Sequence, residues 1–309
     1  VRSKREHSAD IRRGRRAVLV VNTRSRRGRL LYEEARRRLV EAGFELLGTY
    51  ALEQSGGLDG LISEALRKEP DLLIAGGGDG TISTAGRMLA HRDVALGVLP
   101  LGTTNNFART VRIEPDLEAA IATLVDGKVI DVDLGVAGDV PFTNHVGIGL
   151  SGEVMISAPP RLKRAVGRLA YPMTALGLLA RHRPVRAVIR AEGRELRFHT
   201  HQVYVANGGF HAGRPITADA HADDRLLVAY PVGGASRREL LRETARNAAT
   251  GHRRTLHERP FIAVRELWLE TDRPVAVEVD GEPRGTTPMR IAIDPNALRI
   301  MAPADSPDL

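Results

Sequence analysis

No cysteine occurs among the 309 residues. Its absence excludes disulfide frameworks, thiolate nucleophiles and cysteine-bound zinc. The histidines, His145, His199, His201, His211 and His221 among them, show no His-x-x-x-His spacing, so no zinc site is expected. Lysine is scarce too: Lys4, Lys68, Lys128 and Lys163 are the only four among 45 basic residues. No lysine lies inside or just after the glycine run at 76–81, which excludes a Walker-type phosphate loop. Apolar runs stay well short of the ~18 residues that span a bilayer, and the N-terminus is charged and unlike a signal peptide. A cytoplasmic protein is expected. Acidic residues number 38, leaving a net charge of +7. That mild excess suits an anionic partner such as a nucleotide or an acidic lipid.

What is present is organised around Gly76-Gly77-Gly78-Asp79-Gly80-Thr81. The apolar run Asp71–Ala75 before it reads as a buried parallel strand. Ile82, Ala85 and Leu89 after it are spaced for one face of a helix. A strand, a glycine turn and a helix together present backbone N–H groups and a helix N-terminus to a phosphate. Asp79 would repel that phosphate unless a cation stood between them, so it points to Mg²⁺. The plainer reading is a tight turn with a capping aspartate. The next strand, Val94–Leu99, leads into a second small-residue turn, Pro100–Arg109. Two such turns at the carboxyl edge of one sheet make a nucleotide crevice.

The chain is long enough for two domains. Up to about Gly135, strands and helices alternate: strands at Ala17–Val21, Glu45–Tyr50 and Val129–Leu134, helices near Leu30–Ala42, Leu58–Leu66 and Leu117–Val125. That order predicts a Rossmann-like α/β domain with a parallel sheet. Beyond Gly135 short alternating strands dominate and predict an antiparallel β-sandwich. Two stretches interrupt them, Arg161–Arg183 and the helix Ser236–Thr250. Residues 1–16 are basic and polar without apolar periodicity, and read as a disordered tail.

At this point the chain resembles a family. Gly-Gly-Asp-Gly-Thr at 77–81 followed by Pro-x-Gly-Thr-x-Asn at 100–105 is similar to the catalytic domain of diacylglycerol kinases, in particular bacterial lipid kinases that also resemble sphingosine kinases. By order of landmarks the resemblance runs from about Ala17 to Met301. The first motif alone is shared with NAD kinases and phosphofructokinases. The resemblance implies an ATP- and Mg²⁺-dependent kinase acting on a lipid hydroxyl. It implies a nucleotide site at Asn22, Thr23, Ser25, Gly76, Gly77, Gly78, Asp79, Gly80, Thr81, Gly102, Thr103 and Asn105. The family's first nucleotide loop, Asn-Pro-x-Ser-Gly, lacks its proline here (Thr23), and Leu52 stands where some relatives place a threonine on the nucleotide. The second motif ends Asn105-Asn106 where the family has Asn-Asp. The last residues, from about Pro283, are expected to return to the first domain.

Metal candidates are Asp79 and Asp133. Asp131 shares a strand face with Asp133, and the pair could equally be strand-end charges in solvent. In some bacterial relatives a loop like Asp219–Leu226 holds a structural Mg²⁺, which would use the Asp224 carboxylate and the carbonyls of His221 and Leu226. Ala218 and Arg225 depart from that loop's proline and glycine. The base implied by the resemblance is Asp280 of Asp280-Gly281-Glu282, with Glu282 as the competing assignment. Asp-Gly is also the commonest hairpin turn. Expected partners are a lipid substrate, transient contact with an anionic membrane surface at the inner face, and optionally a second copy as a homodimer. Nucleic acid is not among them. For the membrane contact the candidate is Arg161–Arg183, with Arg161, Lys163, Arg164, Arg168, Tyr171 and Met173, where Pro172 should break the helix; that helix could equally pack on the second domain. Two rivals remain: an NAD kinase-like enzyme, for which the expected Asn-Glu pair is missing, and a non-catalytic binding protein, favoured by Leu52, Asn106 and Arg225.

Overall fold

The computed structural model describes residues 2–53, 57–159, 170–179, 181–211, 214–215, 225–250 and 261–307. The chain divides into two units, Val1–Leu134 with Asp294–Leu309, and Gly135–Ala220 with Arg225–Ile293. Residues 283–293 thus stay with the second unit, because they pair with its strands; only the chain from Asp294 joins the first.

The first unit runs α1 (Lys4–Gly14), β1 (Arg16–Val21), α2 (Arg26–Glu41), β2 (Glu45–Ala51), α3 (Leu58–Leu66), β3 (Leu72–Gly77), α4 (Asp79–Leu89), β4 (Ala95–Pro100), α5 (Asn106–Thr110), α6 (Leu117–Asp126) and most of β5 (Lys128–Ala137). β2, β1, β3 and β4 lie side by side in that order and all parallel. Ile300, from the chain's last strand, pairs in parallel with Leu96 of β4. β1, β3 and β4 are buried almost throughout because helices cover both faces, which is why they read as continuous apolar runs. The chain places β2 on one side of β1 and β3 on the other. Between the carboxyl ends of β1 and β3 lies the switch point where open α/β sheets bind ligands.

The N-terminal residues are not a disordered tail. Ser3 and Glu6 form a capping box that starts α1. His7 and Ile11 are buried, and the anchors are mostly polar: Arg2 donates to Asp71 at 2.7 Å and to Asp93 at 3.0 Å, and Arg12 to the Gly127 carbonyl at 2.8 Å. A helix held by ionic and carbonyl contacts carries little apolar periodicity, so the pattern that reveals most helices is missing.

The second unit continues with β6 (Val140–Phe142), β7 (His145–Gly149), α7 (Leu150–Ser157), α8 (Ala170–Leu179), β8 (Val185–Ala191), β9 (Arg194–Thr200), β10 (Gln202–Asn207), β11 (Phe210–His211) and β12 (Arg214–Pro215). It ends with β13 (Leu227–Val232), α9 (Arg237–Thr250), β14 (Ile262–Val264), β15 (Glu266–Thr271), β16 (Ala276–Val279), β17 (Glu282–Thr286) and the first part of β18 (Met289–Ala302). One antiparallel layer has the order β14-β13-β10-β7-β16-β17, and another joins β18, β15, β8 and β9. Val146, Val203, Leu227 and Val277 of the first layer share one apolar core with Ile189, Leu267, Leu269 and Ile291 of the second. This is the antiparallel sandwich. Pro172 lies in the first turn of α8 and does not break it; proline there gives up no intrahelical bond.

His201, just before β10, is fully buried, and neither ring nitrogen has a hydrogen-bond partner among the described residues. Burial, and then the charges of His182 and Arg237, hold it down at about 4, against 6.5 for a free imidazole. Between these values the unfolded chain takes up a proton that the folded chain refuses. Stability should therefore be intact above pH 6.5 and fall as pH drops towards 4, by up to about 3 kcal/mol. Denaturant melts of wild type and His201→Leu check this: the leucine variant should lose most of that acid slope, and an unchanged slope would assign it to other groups.

Candidate active site

In the first unit, β3 extends through Gly77 and α4 begins at Asp79, so the turn is the single residue Gly78, tighter than its six-residue motif suggests. No side chain caps α4 among the described residues, and the first amides of a helix have no acceptor within it. Its N-terminus therefore presents the amides of Asp79 and Gly80 with the positive end of the helix dipole. Register places Val21 beside Gly76, and Gly77 beside Pro100, so the loops after β1, β3 and β4 start level with one another. The two glycine turns touch: a Cβ on Gly102 would come 2.4 Å from the Gly78 Cα. Only glycine allows that approach.

Most predicted nucleotide side chains brace this edge. Asn22 takes the Gly76 carbonyl through its backbone N–H at 2.8 Å, and its side-chain amide donates to Thr81 Oγ1 at 3.1 Å. The Thr23 hydroxyl donates to the Leu52 carbonyl at 3.0 Å, and Ser25 caps α2 by accepting from Gly28 N at 2.9 Å. Asn105, in the left-handed region at φ 48°, accepts from Gly102 N at 2.9 Å and donates to the Pro100 and Gly102 carbonyls. Thr103 is exposed. Among the predicted nucleotide residues, the backbone at 78–80 and the exposed Thr103 are not taken up in this bracing. Leu52 is buried, and its N–H donates to the Val21 carbonyl at 2.8 Å.

Asp79 links the two turns. Its carboxylate accepts from Thr104 Oγ1 at 2.7 Å and from Phe107 N at 3.3 Å; neither partner was legible as a site residue. Asp131 is half-buried and paired, meeting Arg299 at 3.5 Å and Lys4 at 3.8 Å. Asp133 is 2% exposed and accepts from Asn296 N at 2.8 Å. Among the described residues no three His, Asp or Glu side chains cluster as a metal cage. His221 and Asp224 lie outside the described residues; Leu226 is described and half-buried.

In the second unit, Asp280 and Gly281 are the two central residues of a hairpin between β16 and β17, both with positive φ, 48° and 84°. The plain hairpin reading of Asp-Gly therefore holds. The Asp280 carboxylate is densely bonded: Oδ2 accepts from Thr143 N at 2.8 Å and Thr143 Oγ1 at 3.0 Å, and Oδ1 from Asn144 N at 3.0 Å and His145 N at 2.9 Å. Four donors match the roughly four lone-pair positions of a carboxylate. Glu282 is exposed and paired with Arg284. One step back, Glu278 is 1% exposed. It is the only charged residue in Val275–Val279, a signal the sequence did offer.

Residues 16–137 match the family model described as "Diacylglycerol kinase catalytic domain", and residues 144–302 that described as "YegS C-terminal NAD kinase beta sandwich-like domain". The chain belongs to this family of lipid kinases. A "Probable lipid kinase YegS-like" protein of Pseudomonas fluorescens is 33% identical over 89% of this chain and 90% of its own. A "Diacylglycerol kinase" of Staphylococcus epidermidis is 27% identical over 87% of this chain and 85% of its own. The crystal structure of a diacylglycerol kinase from Bacillus anthracis superposes with a TM-score of 0.74 at 22% identity, over 93% of this chain and 97% of that one, a likeness of fold.

Proposed function

We propose that the chain transfers the terminal phosphoryl group of ATP, with Mg²⁺, to a hydroxyl of a diacylglycerol-like membrane lipid. The observation that carries this reading is the uncapped N-terminus of α4 at the switch point, its glycine turn in contact with a second one. Backbone amides there hold phosphates without the repulsion or bulk of a side chain. The acceptor oxygen bonds to the terminal phosphorus, the bridge to the departing ADP breaks, and the hydroxyl proton passes to a carboxylate.

Mg²⁺ on a nucleotide needs only one or two protein carboxylates, because phosphates and water complete its shell. Asp79 fits: two donors occupy its carboxylate and lone pairs remain. Asp133 is the second candidate. Bound there, the ion would neutralise phosphate charge. For the proton acceptor the resemblance puts Asp280 first. Its four donors support a holding role instead, and exposure favours Glu282 as the acceptor of the two.

A membrane contact accompanies this reading. No helix among the described residues is long and apolar enough to cross a bilayer. Met173 on α8 is 53% exposed and Ile156 on α7 is 62% exposed, apolar groups suited to an interface. Arg161, Lys163, Arg164 and Arg168 lie outside the described residues; near an anionic surface each would contribute about 1 kcal/mol.

Labelled ATP incubated with vesicles of phosphatidylcholine, phosphatidylglycerol and diacylglycerol tests the proposal. Label should enter the lipid, chelation of divalent ions should stop it, and the protein sedimenting with vesicles should increase with phosphatidylglycerol and fall with salt. Label in no lipid would overturn the kinase reading, and salt-insensitive binding the electrostatic contact.

A further inference from the structure

We infer that Glu278 and His145 are positioning residues that hold the Asp280–Glu282 turn in place for phosphoryl transfer. The inference rests on the kinase reading above, and its geometry lies wholly within the second unit. Glu278 and Asp280 grip the same neighbour from two sides. Asp280 takes the backbone N–H of His145 at 2.9 Å and returns its own N–H to the His145 carbonyl at 2.9 Å. Glu278 meets the His145 ring, Oε1 to Nε2, at 3.1 Å. With its other oxygen it accepts the N–H of Gly281, inside the turn, at 2.7 Å. The first residue of β7 is thus tied to the turn through backbone and side chain alike.

Burial makes this arrangement a costly one unless it is complete. An almost fully buried carboxylate is stable only when hydrogen-bonded and paired. Glu278 lies opposite Gly147 of β7 in the ladder. A Cβ on Gly147 would stand 2.3 Å from Glu278 Oε1 and 2.3 Å from Ser151 Oγ, so a glycine there is what admits the carboxylate. Gln202 fixes Ser151 in turn, donating to its Oγ at 2.5 Å and accepting its N–H at 2.6 Å. Tyr204 packs edge-on to the His145 ring at 5.7 Å. Burial, then the negative charge of Glu278, holds the Tyr204 hydroxyl in its neutral form. Strands β16 and β7 therefore meet the turn through Glu278, His145 and Asp280, while Ser151, held by Gln202, and the Tyr204 ring of β10 flank them.

A displacement of about 1 Å at a reacting group can cost about 100-fold in rate. Three variants separate positioning from general stability: Gly147→Ala, which removes no polar group, His145→Leu, and His145→Gln, which keeps a donor for Glu278. Each is assayed for kcat, for KM towards ATP and diacylglycerol, and for amide exchange at Gly281. Gly147→Ala and His145→Leu should lower kcat about 100-fold with both KM values within about twofold, and Gly281 should lose protection. His145→Gln should recover most of both. Equal kcat in the leucine and glutamine variants, or unchanged Gly281 protection in Gly147→Ala, would overturn the inference. Should His145→Leu fail to fold, Gly147→Ala carries the test. If wild type labels no lipid, the kinase reading has failed, and Gly281 exchange alone decides the clamp.

Discussion

Replacing Gly78 by valine is expected to weaken ATP binding by at least about 100-fold in a protein that still folds. Gly78 adopts φ −93° and ψ −175°, extended backbone open to valine. A Cβ there would meet only the Gly102 Cα, at 3.3 Å, a contact relieved by a small shift. The side chain would instead project over the start of α4 and displace phosphate from its amides. Two hydrogen bonds to a charged ligand together contribute about 3 kcal/mol or more, hence the factor of about 100. Titration calorimetry with ATP measures it, and the thermal midpoint confirms folding. Unchanged affinity in the folded variant would place the nucleotide elsewhere. Gly102→Val is the instructive contrast. Its Cβ would come 2.4 Å from the Gly78 Cα and 2.6 Å from Asn105 Oδ1, so stability should fall along with binding.

The second large effect separates two carboxylates of one turn. Asp280→Asn puts an amide NH₂ among donors that now converge on the carboxylate, so at least one backbone N–H loses its acceptor. Asparagine tolerates the left-handed φ, so the cost comes from those bonds, about 2 kcal/mol of stability. Glu282→Gln touches an exposed group with one surface ion pair and should leave stability within about 0.5 kcal/mol. If Glu282 accepts the proton, kcat in that variant falls about 100-fold with the affinity for ATP unchanged. Denaturant melts and steady-state kinetics on both variants decide the matter. A stable but inactive Asp280→Asn protein beside a fully active Glu282→Gln one would restore Asp280 as the base.

Much of the first unit was legible because its signals are local. The strand before Gly76, the helix carrying Ile82, Ala85 and Leu89, and the second turn at Pro100–Asn105 follow from periodicity and glycine placement. The hairpin at Asp280-Gly281 was legible for the same reason. The N-terminal helix was not: its anchors, Asp71, Asp93 and Gly127, lie 69 to 115 residues away in sequence from Arg2 and Arg12. Asp131 misled because spacing reveals a shared strand face but not the Arg299 and Lys4 side chains that meet it. Glu278 could have been noticed as a lone charge in an apolar strand, yet nothing in that strand names His145, 133 residues earlier, as its partner.

By itself the sequence determined the two kinds of sheet, the alternation of strands and helices from Ala17 to Leu134, the glycine-framed edge and the family that its paired motifs resemble. These depend on residue type and short spacing, and backbone preference and hydrophobic period act over a few residues. Tertiary structure alone decided which functional groups remain open to a ligand. Asn22, Thr23, Ser25 and Asn105 prove to brace the loops and Asp280 proves to be filled with donors, whereas the α4 amides, the exposed Thr103 and the remaining lone pairs of Asp79 stay open. Hydrogen-bond capacity is finite and is satisfied by whatever the fold brings near, and that proximity is not written in the local sequence.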